Sequence, residues 1–319
     1  MNNLKKKNKA AETKKSSNIR LLSVSFLIGL ANVVPGVSGG TIAFIFSLYE
    51  QIIDTLHFFL KLPLSIAQRK KVDVVEFKNK LIFSSILGVG LLLGILFAAQ
   101  IVEKAFLFYP QETWALFFGF ILSSLFFLLK KIKITHFGNL FLFLFPIAIL
   151  FLLAVAKPLQ ENSSLVFVFL CGMIGISSMI LPGLSGSFML IVLGNYQLIL
   201  RSVNEGNKLI LFTFLGGGFF SFVCIAPVLK FILNKYYEKT FSFICGLVAG
   251  SLFLLWPWKV ENYLKDSVGE FLLKDGNKVV ESYSFHFPEY HFKNLIIFSI
   301  IMIGFFVYYL MNRFSEKSN

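Results

Sequence analysis

Small hydroxyl side chains set among glycines and a proline, inside otherwise apolar sequence, occur twice in this chain. Pro35, Gly36, Ser38, Gly39 and Tyr49 return at an offset of 147 as Pro182, Gly183, Ser185, Gly186 and Tyr196. Each Pro-Gly stops an incoming helix, and an outgoing helix begins near Ser38 or Gly39. A helix start leaves N–H groups unpaired and carries about half a positive charge, which suits an anion. Hydroxyls of Ser38, Thr41, Ser185 and Ser187 add O–H donors without adding charge. Two such ends facing each other would cage one small anionic headgroup, with phosphate the natural candidate. The cage would draw on Asn32, Pro35, Gly36, Ser38, Gly39, Gly40 and Thr41 from one copy. The other copy supplies Pro182, Gly183, Ser185, Gly186 and Ser187. A plainer reading stands beside it: hydroxyls at helix starts cap them, and Pro-Gly kinks serve packing. Asn32 has no polar counterpart at Met179, and Ser187 and Phe188 replace Gly40 and Thr41, so the half-sites need not contribute equally.

The elements that must hold these turns lie in a membrane. The chain has 319 residues, 56% hydrophobic and 15% charged, with mean hydropathy +0.75, too apolar for a soluble domain of that size. Stretches near the ~20 residues needed to cross ~30 Å of hydrocarbon occur at 81–102, 112–129, 138–156, 209–229, 241–258 and 294–312. The two broken segments, about 20 to 60 and 165 to 200, come in addition. Broken backbone survives in a bilayer only where protein or a polar cavity satisfies the freed groups. Two interrupted segments at matching places point to a transporter substrate site. The net charge of +13 forms no groove-like patch with interleaved aromatics, so nucleic acid is not an expected partner.

Basic residues set the orientation. With the N-terminus in the cytoplasm, and with each broken segment entering and leaving on one side, 21 of the 30 basic residues fall on the cytoplasmic face. Three crossings then separate the copies, so the second is upside down relative to the first. The expected fold is an all-α integral membrane protein of two inverted-topology repeats. Each repeat is a broken helical hairpin, either re-entrant or crossing twice, followed by three transmembrane helices. The divisions are a basic cytoplasmic tail (1–19), repeat 1 (20–156), repeat 2 (165–312, with an extracytoplasmic loop at 259–292) and a cytoplasmic tail (313–319). The duplication extends to Gly88-Val89-Gly90 against Gly216-Gly217-Gly218, and to Tyr109, Thr113 and Gly119 against Tyr236, Thr240 and Gly246. Gly90 with Gly94, and Gly246 with Gly250, have the spacing of close helix contacts. Around Asp275-Gly276 the long loop has the pattern of a small hairpin.

Ionisable residues are nearly absent from uninterrupted spans, which argues against a proton wire. A half-helix starting at Gly40 needs about ten residues to climb ~15 Å. That brings Glu50 to the cytoplasmic boundary and leaves Asp54 outside; a full crossing would instead bury Glu50 for a coupling role. Arg201, the counterpart of Asp54, could draw an anionic headgroup or merely snorkel. Glu50 and Arg201 are therefore the candidates for coupling or gating. Cys171, Cys224 and Cys245 lie inside predicted spans with no metal spacing, and neither metal nor cofactor is expected.

At these residues the chain resembles the bacterial polyprenyl-phosphate transporter family. The resemblance rests on Asn32-Val-Val-Pro-Gly-Val-Ser-Gly-Gly-Thr41, the following Tyr49-Glu50, and Leu181-Pro-Gly-Leu-Ser-Gly-Ser187. It implies a plasma-membrane protein that moves undecaprenyl phosphate from the outer to the cytoplasmic leaflet, recycling the carrier lipid for peptidoglycan and other envelope polymers. Protons or sodium would be coupling ions. The alternatives are a transporter of small soluble anions, or an enzyme. Integral-membrane undecaprenyl-pyrophosphate phosphatases look similar, but their turn continues with an arginine where this chain has Gly39 and Gly186, and their sites add clustered glutamates. Phosphoryl transfer without a cation has little to stabilise its developing charge, so an enzyme is not the expected reading.

Overall fold

The computed structural model describes residues 18–32, 38–69, 72–130, 137–263, 273–274, 277–278, 280–288 and 292–317. Among them are two successive sets of six helices. The first set is α1 (Asn18–Asn32), α2 (Gly39–Ile45), α3 (Tyr49–Ala67), α4 (Val74–Phe108), α5 (Pro110–Leu129) and α6 (Phe137–Val155). The second is α7 (Leu165–Ile180), α8 (Gly186–Val192), α9 (Tyr196–Glu205), α10 (Lys208–Lys235), α11 (Tyr237–Leu254) and α12 (Phe292–Lys317). Starts follow local chemistry. Asp73 caps α4 by accepting from the Val75 N–H at 2.8 Å, Pro110 opens α5, and Asn207 caps α10 through the Ile210 N–H.

Five helices (α4, α5, α6, α10 and α12) are long and apolar enough to cross a bilayer, or up to seven spans if each bent pair counts as one. Their outward side chains, such as Leu96 on α4 and Phe212 and Phe219 on α10, are exposed. A wall of bare leucine and phenylalanine belongs in lipid. All three tryptophans gather at one end. Trp256 and Trp258 lie 5.3 Å apart, and the Lys259 ammonium sits 3.5 Å over the Trp114 ring. Such amphipathic rings mark a membrane–water boundary.

The two sets repeat one another down to turn geometry. After α2 the Leu48 N–H donates to the Ala43 carbonyl at 2.8 Å, and after α8 the Asn195 N–H donates to the Leu190 carbonyl at 3.0 Å. Ser47 (φ 59°) and Gly194 (φ 73°) occupy the left-handed position between, closing both helices in the same way. The chain then bends by 116° between α2 and α3 and by 115° between α8 and α9. This corrects the expected arm of about ten residues from Gly40 to Glu50: the half-helix stops at Ile45, and Glu50 is exposed in the first turn of α3.

Packing follows the same symmetry. Within each set the first helix lies on the fourth: α7 packs on α10, and α1 on α4, where a Cβ on Gly90 would come 2.4 Å from the Ser25 Cβ and one on Gly94 2.1 Å from the Phe26 carbonyl oxygen. Between sets, the fifth helix of each packs on the sixth of the other, α5 on α12 and α11 on α6. The expected contacts of Gly246 and Gly250 are present, against the Phe143 backbone and against Leu150, and Gly119, read only as a repeat position, faces the Ile301 backbone.

The all-α expectation misses one feature. Between α11 and α12, strands β1 (Lys259–Tyr263) and β4 (Val280–Phe285) pair antiparallel, as do β2 (Leu273–Lys274) and β3 (Asn277–Lys278). The β2–β3 pair flanks Asp275-Gly276 as the hairpin reading requires, although those two residues lie outside the described ones. Phe285 of β4 joins a small apolar cluster with Ala154 of α6, Phe188 of α8 and Leu254 of α11, and β4 packs on α6.

Candidate functional site

α2 stands in the largest apolar core, among residues of α1, α3, α5, α10, α11 and α12. Its start is closed by its own neighbours. The Ser38 hydroxyl accepts from the Gly40 N–H at 3.2 Å, and the side-chain Oδ1 of Asn32, at the end of α1, accepts from the Gly39 N–H at 3.0 Å. A Cβ on Gly39 would lie 2.6 Å from that Asn32 oxygen, so a larger residue there would push the Asn32 amide off its hydrogen bond. Pro35 and Gly36 lie outside the described residues.

In the second turn Gly183 has φ 85°, and a Cβ there would meet the Leu247 backbone at 2.4 Å. Both facts demand glycine. Pro182, Gly183, Ser185 and Gly186 are buried, and Ser187 is half-buried. The Ser185 hydroxyl does not cap α8; it shares a 2.9 Å hydrogen bond with the Ser187 hydroxyl. The two copies thus use their matched serines differently. Ser38 caps its helix, whereas Ser185 pairs with the Ser187 hydroxyl.

The turns touch. The Gly183 N–H donates to the Thr41 Oγ1 at 2.6 Å, across 142 residues. Gly40 also lies close to the carbonyl end of α7, where a Cβ would come 3.0 Å from the Ile180 oxygen and 3.2 Å from that of Met179. Ser38, Thr41 and Ser185 are 4%, 1% and 6% exposed, so these hydroxyls sit at a sealed seam between the two sets. Thr41→Val removes the acceptor and strands a buried N–H, at a cost of about 1–3 kcal/mol. The thermal midpoint in detergent is expected to fall for Thr41→Val and to hold for Thr41→Ser.

The candidate coupling residues lie elsewhere. Glu50 is exposed on α3. Arg201 on α9 donates to the Glu161 carboxylate at 2.7 Å. A charged group that sequence reasoning missed is Asp54: its two oxygens take hydrogen bonds from Lys80 of α4 and Lys230 of α10, joining both sets. These partners are 26 and 176 residues away.

A family model described as undecaprenyl phosphate translocase-like matches residues 28–272. The chain is 32% identical over 233 residues to a polyprenyl-phosphate transporter of Vibrio cholerae, covering 73% of this chain and 75% of that one. It is 29% identical over 251 residues to a polyprenyl-phosphate transporter of Staphylococcus aureus, covering 73% and 84%. No solved structure matches. Both relatives are transporters by name, which sets aside the phosphatase alternative. The match spans both broken hairpins and the helices that carry them, and the chain belongs to the undecaprenyl phosphate translocase-like family.

Proposed function

We propose that this protein transports polyprenyl phosphate across a bacterial plasma membrane. In this reading it carries undecaprenyl phosphate from the outer to the cytoplasmic leaflet, for reuse in the synthesis of peptidoglycan and other envelope polymers. The names of the relatives support the substrate. The observation that carries the mechanism is the Gly183 N–H to Thr41 hydrogen bond, which joins the two broken turns at one buried point. The phosphate is held there by the hydroxyls of Ser38, Thr41, Ser185 and Ser187 and by the glycine backbone of Gly36, Gly39, Gly40, Gly183 and Gly186. Pro182 follows the end of α7, and Asn32 braces the first turn. The polyprenyl tail stays in lipid, leaving through a side opening between the halves.

Inversion of the repeats gives the site two exits. Asp54 draws together Lys80 near the start of α4 and Lys230 near the end of α10. Helices that correspond in the two sets would then run in opposite directions, as alternating access requires. The surplus of lysine and arginine places both termini in the cytoplasm. Rocking of the halves exposes the headgroup site first to one leaflet and then to the other. Glu50 and Arg201 lie at opposite mouths, where protons or sodium would couple the motion.

Reconstitution in liposomes tests this reading. Polyprenyl phosphate placed in one leaflet is expected to reach the other faster with protein than without, inorganic phosphate is expected not to cross, and an imposed proton or sodium gradient is expected to change the rate. Release of phosphate from the lipid, or uptake of inorganic phosphate alone, would overturn it.

A further inference from the structure

A cavity of about 180 Å³ adjoins the start of α2, with walls drawn from both sets. Asn32, Gly39, Gly40 and Tyr49 form its polar part. Ile53 and Leu56 of α3, Leu87 and Leu91 of α4, and Met179 and Ile180 of α7 supply aliphatic wall. The chemistry of these walls selects the occupant. A phosphate dianion against such surface, with no cation, would cost many kcal/mol. Water would find few polar partners along the aliphatic walls. A small branched hydrocarbon of five carbons fits both the volume and the lining.

Tyr49 gives a second, independent observation. It is 97% buried, being 3% exposed, and its hydroxyl has no hydrogen-bond partner among the described residues. A buried hydroxyl left unpaired costs about 1–3 kcal/mol, a cost that a ligand oxygen at this wall would remove. Its counterpart Tyr196 is only half-buried, so the feature belongs to the first half-site.

We propose that this cavity is a subsite for the isoprene unit next to the phosphate, with the Tyr49 hydroxyl donating a hydrogen bond to a phosphate-ester oxygen of the same ligand. The inference rests on the transport reading above and adds what makes the site select a prenyl ester over a free anion. Because Met179 and Ile180 come from the second set and the remaining wall from the first, the prenyl unit bridges the seam that must open. A bound tail therefore bears on the movement, and a free phosphate, lacking one, does not.

Competition in the liposome assay tests the subsite with three probes: inorganic phosphate, methyl phosphate and a phosphate monoester bearing a single isoprene unit. For the unmodified protein, the isoprenyl ester is expected to inhibit polyprenyl-phosphate transport at concentrations at least about tenfold below methyl phosphate, given the apolar area it buries. Leu87→Trp, which fills the cavity, and Leu87→Ala, which widens it, are both expected to erase that advantage while inhibition by methyl phosphate persists. The pair keeps the test decisive if the larger residue misfolds. Tyr49→Phe is expected to weaken both esters by about fivefold to tenfold. Equal inhibition by the two esters in the unmodified protein, or an advantage that survives in a folded Leu87 variant, overturns the subsite and leaves the transport reading intact. Absence of polyprenyl-phosphate transport in the unmodified protein is the separate failure of that reading.

Discussion

Ser185→Ala is expected to fold like the parent protein and to transport poorly, and Ser38→Asp, which buries a carboxylate and so loses stability, is expected to transport more poorly still. Ser185 makes no helix cap. Its side chain pairs with the Ser187 hydroxyl, which can turn to another acceptor, so the change in stability stays within about 1 kcal/mol. Ser38 is a true cap, and alanine there would cost about 1 kcal/mol of stability. Aspartate caps as well as serine does, yet it puts a carboxylate where the phosphate is proposed to sit. Like charges meeting in a desolvated site cost several kcal/mol, so transport by Ser38→Asp is expected to fall at least about a hundredfold. The double variant Ser38→Ala with Ser185→Ala removes two donors to a charged group, each contributing about 1.5–3 kcal/mol. A folded double variant that transports at the parent rate would exclude the paired-turn site. Transport in liposomes, beside thermal unfolding of each variant, separates loss of function from loss of fold.

The broken hairpins were legible in the sequence because Pro-Gly followed by serine cannot hide within an apolar run, and because the same set returns 147 residues later. The glycine seams were legible for the same reason: Gly119 and Gly246 hold matching places after Thr113 and Thr240. The end of α2 at Ile45 was harder to see. Ser47 sits in the left-handed position where the second copy has Gly194, and serine carries no turn signal among Phe46 and Leu48. Read through the offset, Gly194 would have marked it. The closure of the first turn by Asn32 was hidden by the missing polar residue at Met179. Asp54 with Lys80 and Lys230 had no local signature at all, since long-range ion pairs leave no period or spacing in a chain. The second turn was legible as a break, but the Gly183 contact to Thr41 depends on the packing of helices from both sets.

Gly119→Ala and Gly246→Ala are expected to be among the most destabilising single changes in the protein, although each adds one methyl group. A Cβ on Gly119 would lie 2.0 Å from the Ile301 carbonyl oxygen, and one on Gly246 would lie 2.2 Å from that of Phe143. The facing helix answers in kind, for a Cβ on Gly304 would be 2.2 Å from the Leu116 oxygen. These neighbours are backbone atoms, which cannot step aside as a flexible side chain would. The α5–α12 and α6–α11 axes must separate, and each loses the close contact that drives helix association where lipid already solvates every apolar surface. A cost of about 3 kcal/mol follows, at the upper end for overpacking. Gly88→Ala is the control of opposite sign. Nothing lies within 4 Å of its Cβ position, and alanine in a helix interior is favoured over glycine by about 0.5–1 kcal/mol. Thermal unfolding in lipid nanodiscs should therefore show Gly119→Ala and Gly246→Ala well below the parent and Gly88→Ala at or above it. If all three unfold together, the seams are looser than their geometry implies. The same tightness limits how the carrier can move. Each seam ties the fifth helix of one set to the sixth of the other, so in the transport reading proposed above both pairs would stay closed. The rocking of the halves would then be carried by the broken segments and the helices that hold them.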